Sequence, residues 1–378
     1  MSTEALAPES DASGVRIAVD AMGGDHGPAE VVPGALDHAR AHPEDRVLLV
    51  GDQVRIRAVA GHLPANVEIV HASQAIEMDE HPARALREKK DASIIVACDL
   101  VRDGRADAVI TAGHTGAAMA AAVLRIGRLP GVHRPALAVQ MIRAGTPFVL
   151  LDIGANPDSS AENLAQYARM GAIFAERVLR IDHPRVALLS IGEEKGKGDL
   201  RIQQATELLD MSGLNFIGNV EGRDLTGLLA DVVVTDAVAG NIVIKFFEGL
   251  STFIFDLFRA EFSGSIRGRL AYLLLRPGVG RIRDVFDYEK VGGSPLLGVR
   301  GSVIITHGRA RRRMIGYGCA VAAETARTEV PRLIAVALRE ASSEPQEGAP
   351  DGTAARDAIG LNATLPAAAG ADVVGDAR

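Results

Sequence analysis

Short aliphatic and β-branched runs recur along the chain, end in Gly, Asp or Asn, and lead into Ala-rich stretches with helical spacing. They fall at 15–22, 46–52, 67–72, 107–113, 136–142, 147–156, 185–192, 215–220, 232–236 and 302–308. Several are apolar on both sides of the alternation, as in Val149-Leu150-Leu151 and Val232-Val233-Val234. That pattern suits strands buried on both faces of a mainly parallel sheet. Strand–helix alternation of this kind predicts a layered α/β fold with right-handed crossovers. No repeat or low-complexity linker divides 14–340, so one continuous sheet in one domain is expected there.

The predicted strand ends are rich in glycine. Five turns stand out: Met22 to Gly27, Ala112 to Gly116, Ile153 to Asn156, Ile191 to Gly198, and Ala239 to Asn241. Ligands of open α/β sheets bind outside the carboxyl ends of the strands. Glycine lets backbone N–H groups approach an anion closely, and helix N-termini add donors. Taken one at a time, each turn reads equally as a helix N-cap. Five of them at strand ends predict one composite polar site.

Residues 242–288 break the pattern. Nine of the fourteen aromatic residues lie between Phe246 and Tyr288. On a helical wheel Phe246, Phe247, Leu250, Phe253, Ile254, Leu257 and Phe258 form one stripe, widened by Phe255 and Phe262; Lys245, Glu248, Thr252, Asp256 and Arg259 lie opposite. The stripe exceeds the roughly 100° that an amphipathic helix needs. Leu270, Tyr272, Leu273, Leu274 and Leu275 follow, flanked by Arg267, Arg269, Arg276, Arg281 and Arg283. Three readings stand together: packing in the core or a dimer, contact with a lipid surface, or docking of an acidic protein. A hairpin packed at its base and exposed at its tip satisfies more than one of them.

Composition narrows the classes. The 378 residues carry a formal charge of -7, which argues against a whole-surface nucleic-acid binder. Two cysteines, Cys98 and Cys319, are too few for a disulfide framework or a cysteine-rich zinc site. Residues 1–13 lack the apolar core of a signal peptide, and 341–378 are Ala-, Gly- and Pro-rich without an aromatic; both are expected to be disordered. The segment Gly192 to Gly198 has the wrong spacing for a P-loop, and Gly198 and Asp199, not Ser or Thr, follow its lysine. No G-x-S-x-G elbow, H-E-x-x-H zinc motif or G-x-G-x-x-G after the first run occurs. No metal or other cofactor is expected, and no acyl-enzyme nucleophile announces itself.

Five stretches carry a resemblance: Ile17 to Pro28 (IAVDAMGGDHGP), Ala112 to Ala117 (AGHTGA), Leu151 to Asn156 (LDIGAN), Asn215 to Asp224 (NFIGNVEGRD) and Gly292 to Gly298 (GGSPLLG). In this order and spacing the chain resembles the bacterial phosphate acyltransferases that use acyl-acyl-carrier protein, the PlsX family, over about 15–335. The resemblance implies a homodimeric, Rossmann-like α/β/α fold of the phosphotransacetylase and isocitrate-dehydrogenase type. It implies acyl transfer from acyl-acyl-carrier protein to inorganic phosphate. The acyl phosphate would feed a glycerol-3-phosphate acyltransferase in phospholipid synthesis. It also implies a cytoplasmic protein held peripherally at the membrane, which fits the hairpin. The chain departs from the family at His114, where Asn is usual, at Ala237-Val238-Ala239, where a Gly-Phe-Thr-like stretch is usual, and at Arg309 to Arg313, where small polar residues are common.

Phosphate is nucleophilic near neutral pH, so the protein's work is to hold it against the thioester and to stabilise the oxyanion. Lys197, flanked by the backbone N–H groups of Gly196 and Gly198, is assigned phosphate or oxyanion charge, with a surface lysine paired to Glu193 or Glu194 as the alternative. Asn241 is assigned as an oxyanion donor, with a plain helix cap as the alternative. Asp20, Asp25 and His26 would orient donors or carry a proton. Gly23, Gly24, Gly113, His114, Thr115, Gly116, Asn156, Gly240 and His307 complete the expected phosphate site. Phe253, Phe258, Phe262, Arg267, Arg269, Leu273, Leu274 and Arg276 form the expected membrane or partner surface. Competing classes are a phosphotransacetylase-like enzyme using acyl-CoA, an acyl-binding membrane scaffold without turnover, and a decarboxylating dehydrogenase of similar fold.

Overall fold

The structure, a computed structural model, describes residues 14–143, 146–285 and 287–343. The predicted disordered N-terminus and the tail beyond Ser343 lie outside those residues. Among the described residues eleven strands form one sheet: β1 (Arg16–Asp20), β2 (Arg46–Gly51), β3 (Val67–His71), β4 (Ala108–Thr111), β5 (Ala136–Arg143), β6 (Thr146–Leu151), β7 (Val186–Leu189), β8 (Phe216–Val220), β9 (Val232–Val234), β10 (Ser294–Leu297) and β11 (Ser302–Ile305). Ten of them coincide with the apolar runs; β10, four residues inside a Gly- and Pro-containing stretch, was not among the expected strands.

The order is β3-β2-β1-β4-β11-β10-β5-β6-β9-β7-β8. Two parallel wings, β3-β2-β1-β4-β11 and β6-β9-β7-β8, flank a centre in which β11/β10, β10/β5 and β5/β6 all pair antiparallel. Three reversals leave the wings running in opposite senses. The expectation of a mainly parallel sheet therefore holds within each wing and fails at the centre.

The helices are α1 (Val31–Ala41), α2 (Gln53–Ala60), α3 (Pro82–Glu88), α4 (Ser93–Arg102), α5 (Thr115–Ala121), α6 (Ala161–Arg177), α7 (Leu200–Asp210), α8 (Ala237–Ser263), α9 (Ile266–Val285), α10 (Arg312–Arg327) and α11 (Val330–Ser343). The last shows that residues 341–343, expected in the tail, finish a helix. Side-chain alternation sorts the core into layers. Ile17, Val19, Leu49 and Ile110 meet α1, α2 and α10 on one face of the first wing. Ala18, Leu48, Val50 and Val109 meet α3, α4 and α5 on the other, in a cluster that runs on to Phe148, Leu150 and Val233 of the second wing. Val149, Leu151, Val232 and Val234 face the opposite way, onto α6, α7 and α11. Strands buried on both faces, read from VLL and VVV, are thus observed.

Helix α8 starts earlier than the aromatic stripe indicates, because Asp236 caps it by accepting from the N–H groups of Val238 (2.9 Å) and Ala239 (3.0 Å). Its base packs into the core through Val243, Ile244 and Phe247. Beyond that the stripe stands in the open: Phe253 is 59% exposed and Leu274, on α9, 84%. Rings step along the hairpin, with centroids 6.3 Å apart for Phe255–Phe258 and Phe258–Phe262 and 5.6 Å for Phe262–Tyr272.

Candidate active site

A cleft of about 770 Å³ opens where the carboxyl ends of both wings converge. From the first wing come Asp25 after β1, Thr115 after β4, and Thr306 to Arg309 after β11; from the second come Ile153, Gly154 and Pro157 after β6, and Ala237, Val238 and Asn241 after β9. Opposed wings thus deliver two sets of strand ends to one place; four of the five glycine-rich turns reach it, and Ile191 to Gly198 does not. Leu137, Val139, Met141, Ile244 and Phe247 make an apolar wall.

Asn241 lines this cleft from inside the first turns of α8, five residues past the Asp236 cap. The plain-cap alternative for Asn241 is therefore excluded. His307 lines the cleft too, beside Lys245 and Glu248. Lys245 Nζ lies 3.2 Å from His307 Nε2 and 3.2 Å from Glu248 Oε2, which also accepts from Arg309 at 3.2 Å. Burial pushes the Glu248 carboxyl up, but hydrogen bonding to His307 and the nearby Lys245 charge outweigh it and hold the group below its ordinary value. The Thr306 hydroxyl is buried, lines the same cleft and has no hydrogen-bond partner. A buried hydroxyl left without a partner costs about 1–3 kcal/mol, so Thr306 is poised to bond a guest.

The first glycine turn is built as a close stack. Asp20 is buried, and its Oδ2 accepts from the Thr111 hydroxyl (2.6 Å), which in turn accepts from Gly113 N–H (2.9 Å). Gly23 packs over this carboxylate and against Gly113. Burial raises the Asp20 pKa. Asp20 thus lies beneath the glycine turns, while Asp25, whose N–H donates to Gly308 O (2.8 Å), reaches the cleft. Gly24 adopts φ +85°, and a Cβ there would stand 2.8 Å from Gly308 O and 2.9 Å from Ala112 O. Only glycine fits between these strand ends. His26, half-buried, follows on the same turn and is not among the lining residues.

Several expected ligands are engaged elsewhere. His114 caps α5, its Nδ1 accepting from Gly116 N–H at 3.1 Å, so that amide is occupied by the ring. Asn156 is buried, donating through Nδ2 to Pro135 O (2.6 Å) and Asp152 Oδ2 (2.9 Å). Asp152 further accepts from the N–H groups of Leu137, Gly154, Ala155 and Asn156. Asn156 therefore fixes the turn after β6 and does not face the cleft. Gly240 is pressed on that same turn: a Cβ would lie 2.0 Å from Asp152 O. Lys197, Gly196 and Gly198 sit on the turn after β7, outside the cleft lining, with Lys197 exposed and Gln203 Nε2 bonded to Gly196 O (2.9 Å) and Gly198 O (3.1 Å). In that turn Glu193 pairs with Arg223 (3.1 Å) and Lys195 with Asp210 (2.9 Å).

Lys245, Glu248, Thr306 and Arg309 are the site residues that sequence reasoning passed over. The helical wheel sets Lys245 and Glu248 only opposite the aromatic stripe, and the run Arg309 to Arg313 carries no assigned role. Arg311 to Arg313 prove structural, pairing with Glu30 (3.6 Å), Asp37 (2.5 Å) and Asp287 (2.5 Å). Both cysteines are buried, and burial pushes the Cys319 thiol up to about 12. Among the described residues, His42, Glu44 and Asp45 group at metal-ligand spacing, but Asp45 already pairs with His38 (3.2 Å) and Arg327 (2.9 Å).

The comparisons with known proteins agree with this architecture. The family described as fatty acid synthesis protein matches residues 15–333. The phosphate acyltransferase of Desulfitobacterium hafniense (strain Y51) is 47% identical over 313 residues, covering 82% of this chain and 93% of the relative. That of Myxococcus xanthus (strain DK1622) is 42% identical over 342 residues, covering 88% and 97%. Among solved structures, EutD phosphotransacetylase from Staphylococcus aureus superposes with a TM-score of 0.56 at 18% identity, over 84% of this chain and 96% of that one. A phosphotransacetylase from Streptococcus pyogenes gives 0.57 at 17% identity, over 83% and 94%. These two establish the fold alone. The matched span takes in both wings, the cleft and the hairpin, and the chain belongs to the fatty acid synthesis protein family, which is the PlsX family its motifs indicated.

Proposed function

We propose that the chain is a phosphate acyltransferase that moves a fatty acyl group from acyl-acyl-carrier protein to inorganic phosphate. The observation that carries this reading is the cleft itself: a buried, unpartnered Thr306 hydroxyl and the Asn241 amide beside an apolar wall, with Lys245, His307 and Arg309 at one side. Polar donors serve the anion and the wall serves the acyl group. A phosphate oxygen attacks the thioester carbonyl, a C–O bond forms, the C–S bond breaks, and the carrier leaves as a thiol with the proton that phosphate gives up. Preorganised donors around the developing oxyanion supply the acceleration. The names of the relatives support phosphate as acceptor.

Purified protein mixed with palmitoyl-carrier protein and labelled phosphate should form hydroxylamine-sensitive acyl phosphate, and palmitoyl-CoA in place of the carrier tests the phosphotransacetylase-like alternative. Asn241→Ala should lower turnover roughly 10²- to 10³-fold with the fold intact. Near-normal turnover would remove Asn241 from the oxyanion site. Two lysines compete for the charge, Lys197 on its exposed turn and Lys245 in the cleft, and the alanine variant of each decides between them.

We also propose that the exposed hairpin serves self-association or a lipid surface. Helix α8 is long and apolar enough to cross a membrane, with a mean hydropathy of 1.4 over its most apolar window. Its start inside a strand-end turn and its base in the core favour peripheral contact at a cytoplasmic membrane face over a span.

A further inference from the structure

The cleft does not end at the strand ends. A second cavity of about 1190 Å³ lies between α8 and α9 and shares Glu248, Ser251 and Asp287 with the first. Beyond this neck its apolar surface comes from Phe255, Phe258, Phe262, Tyr272 and Leu273. Its charged floor is largely self-neutralised, Arg313 bridging Asp287 (2.5 Å) and Glu289 (3.2 Å).

We propose that the acyl chain of the substrate threads from the cleft through the neck at Ser251 into the hairpin groove, so that the groove gauges chain length. The inference rests on the acyl-transfer reading above and adds a chain-binding site to it. Three observations select a linear apolar chain as the occupant. The groove adjoins the proposed reaction site and shares Glu248, Ser251 and Asp287 with it. Within the groove its rings run in single file, Phe255, Phe258 and Phe262 down α8 and Tyr272 across on α9. From Asn241 to Phe255 helix α8 rises about 21 Å, close to the length of an extended sixteen-carbon acyl chain, whose end would then lie by the Phe255–Phe258 ring pair. Ser251 is the small uncharged residue among the three that border both cavities: it is half-buried, and its hydroxyl donates to Phe247 O (2.7 Å).

Two measurements test this. In the first, acyl phosphate formation from palmitoyl- and octanoyl-carrier protein is compared for wild type and Ser251→Phe. A ring at the neck should lower the palmitoyl-to-octanoyl ratio at least tenfold. In the second, Phe258→Trp gives the chain its one tryptophan, since the natural sequence has none. Palmitate brominated on its terminal carbon should quench that indole, and octanoate brominated the same way should not. An unchanged ratio in an active Ser251→Phe protein, or quenching that ignores chain length, overturns the proposal. So does an unquenched indole in a self-associated protein, which would mean that a second copy fills the groove. Quenching that needs phosphatidylglycerol vesicles overturns it in favour of a lipid surface. If wild type forms no acyl phosphate from either donor, the acyl-transfer reading fails, and the quenching result alone decides whether a chain occupies the groove.

Discussion

Glu248 is surrounded by Lys245, His307 and Arg309 on one side of the cleft, and it explains why a cationic group can stay assembled there without a ligand. Its carboxyl is held below its ordinary value, so the carboxylate is the form that the folded protein prefers. The stability it contributes is fully present above the unfolded carboxyl pKa of about 4.3 and is lost as pH falls through the lower folded value. Glu248→Gln should therefore flatten the acid limb of a melting-temperature profile, read by circular dichroism, while changing little near neutral pH beyond the loss of the local attraction. Asp152 is a different kind of residue. It collects four backbone N–H groups and the Asn156 amide, and no substitute of similar size accepts them all. Asp152→Ala should cost roughly 3–5 kcal/mol in a urea titration, because the orphaned donors are buried. Residues of this sort account for the expected ligands that the fold engages in their own turns. Asn156 and His114 have side chains equally suited to a ligand or to their own turn, and only the fold shows which partner arrived first.

At the scale of elements, helix α8 links the strand ends to the hairpin. Its first turn touches the turn after β6 through Gly240, its middle carries the cleft residues, and its far half carries the ring strip. Gly240→Ala places a methyl against Asp152 O and must push the helix away; overpacking of this kind costs about 1–3 kcal/mol. Turnover should fall by more than that loss of stability would explain, since Asn241 moves with the helix, and a full melting curve beside the assay separates the two effects. The ten runs were legible as strands from their aliphatic and β-branched composition and their Gly, Asp or Asn ends, and several, such as Val149-Leu150-Leu151, also from burial on both faces. Strand β10 left none, being short and bounded by Gly292, Gly293 and Gly298. Strand direction was illegible as well, because alternation is the same read either way, and the opposition of the wings follows from three pairings that periodicity does not encode. The polar face of α8 misled for a related reason. A helical wheel separates Lys245 and Glu248 from the phenylalanines but cannot say that the face meets other strand ends.

For the whole molecule, an apolar hairpin beside basic residues sets how the protein meets its surroundings. Leu270, Leu273, Leu274 and Leu275 stand exposed near Arg267, Arg269 and Arg276. Vesicles of phosphatidylglycerol should retain the protein in a flotation assay, and added salt should weaken retention without abolishing it. Replacing Leu273 and Leu274 together by Asp should reduce retention at least tenfold, since each leucine withdrawn from an apolar medium forfeits about 1.5–3 kcal/mol. Retention unchanged by the pair would exclude this face as the lipid contact.

The placement of β10 also sets an order of assembly during synthesis. Strands β4 and β5 are translated early, yet the elements that separate them in the sheet, β11 and β10, come only after the hairpin. A nascent polypeptide that has reached the hairpin therefore carries two half-sheets with unpaired inner borders, and such borders invite pairing with other chains. Ribosome-stalled intermediates ending before Gly292 should be digested readily by protease and captured by chaperones, whereas those extended past Ile305 clear of the exit tunnel should resist. The segment that follows the hairpin, with β10 and β11, thus acts as the clasp that joins the halves.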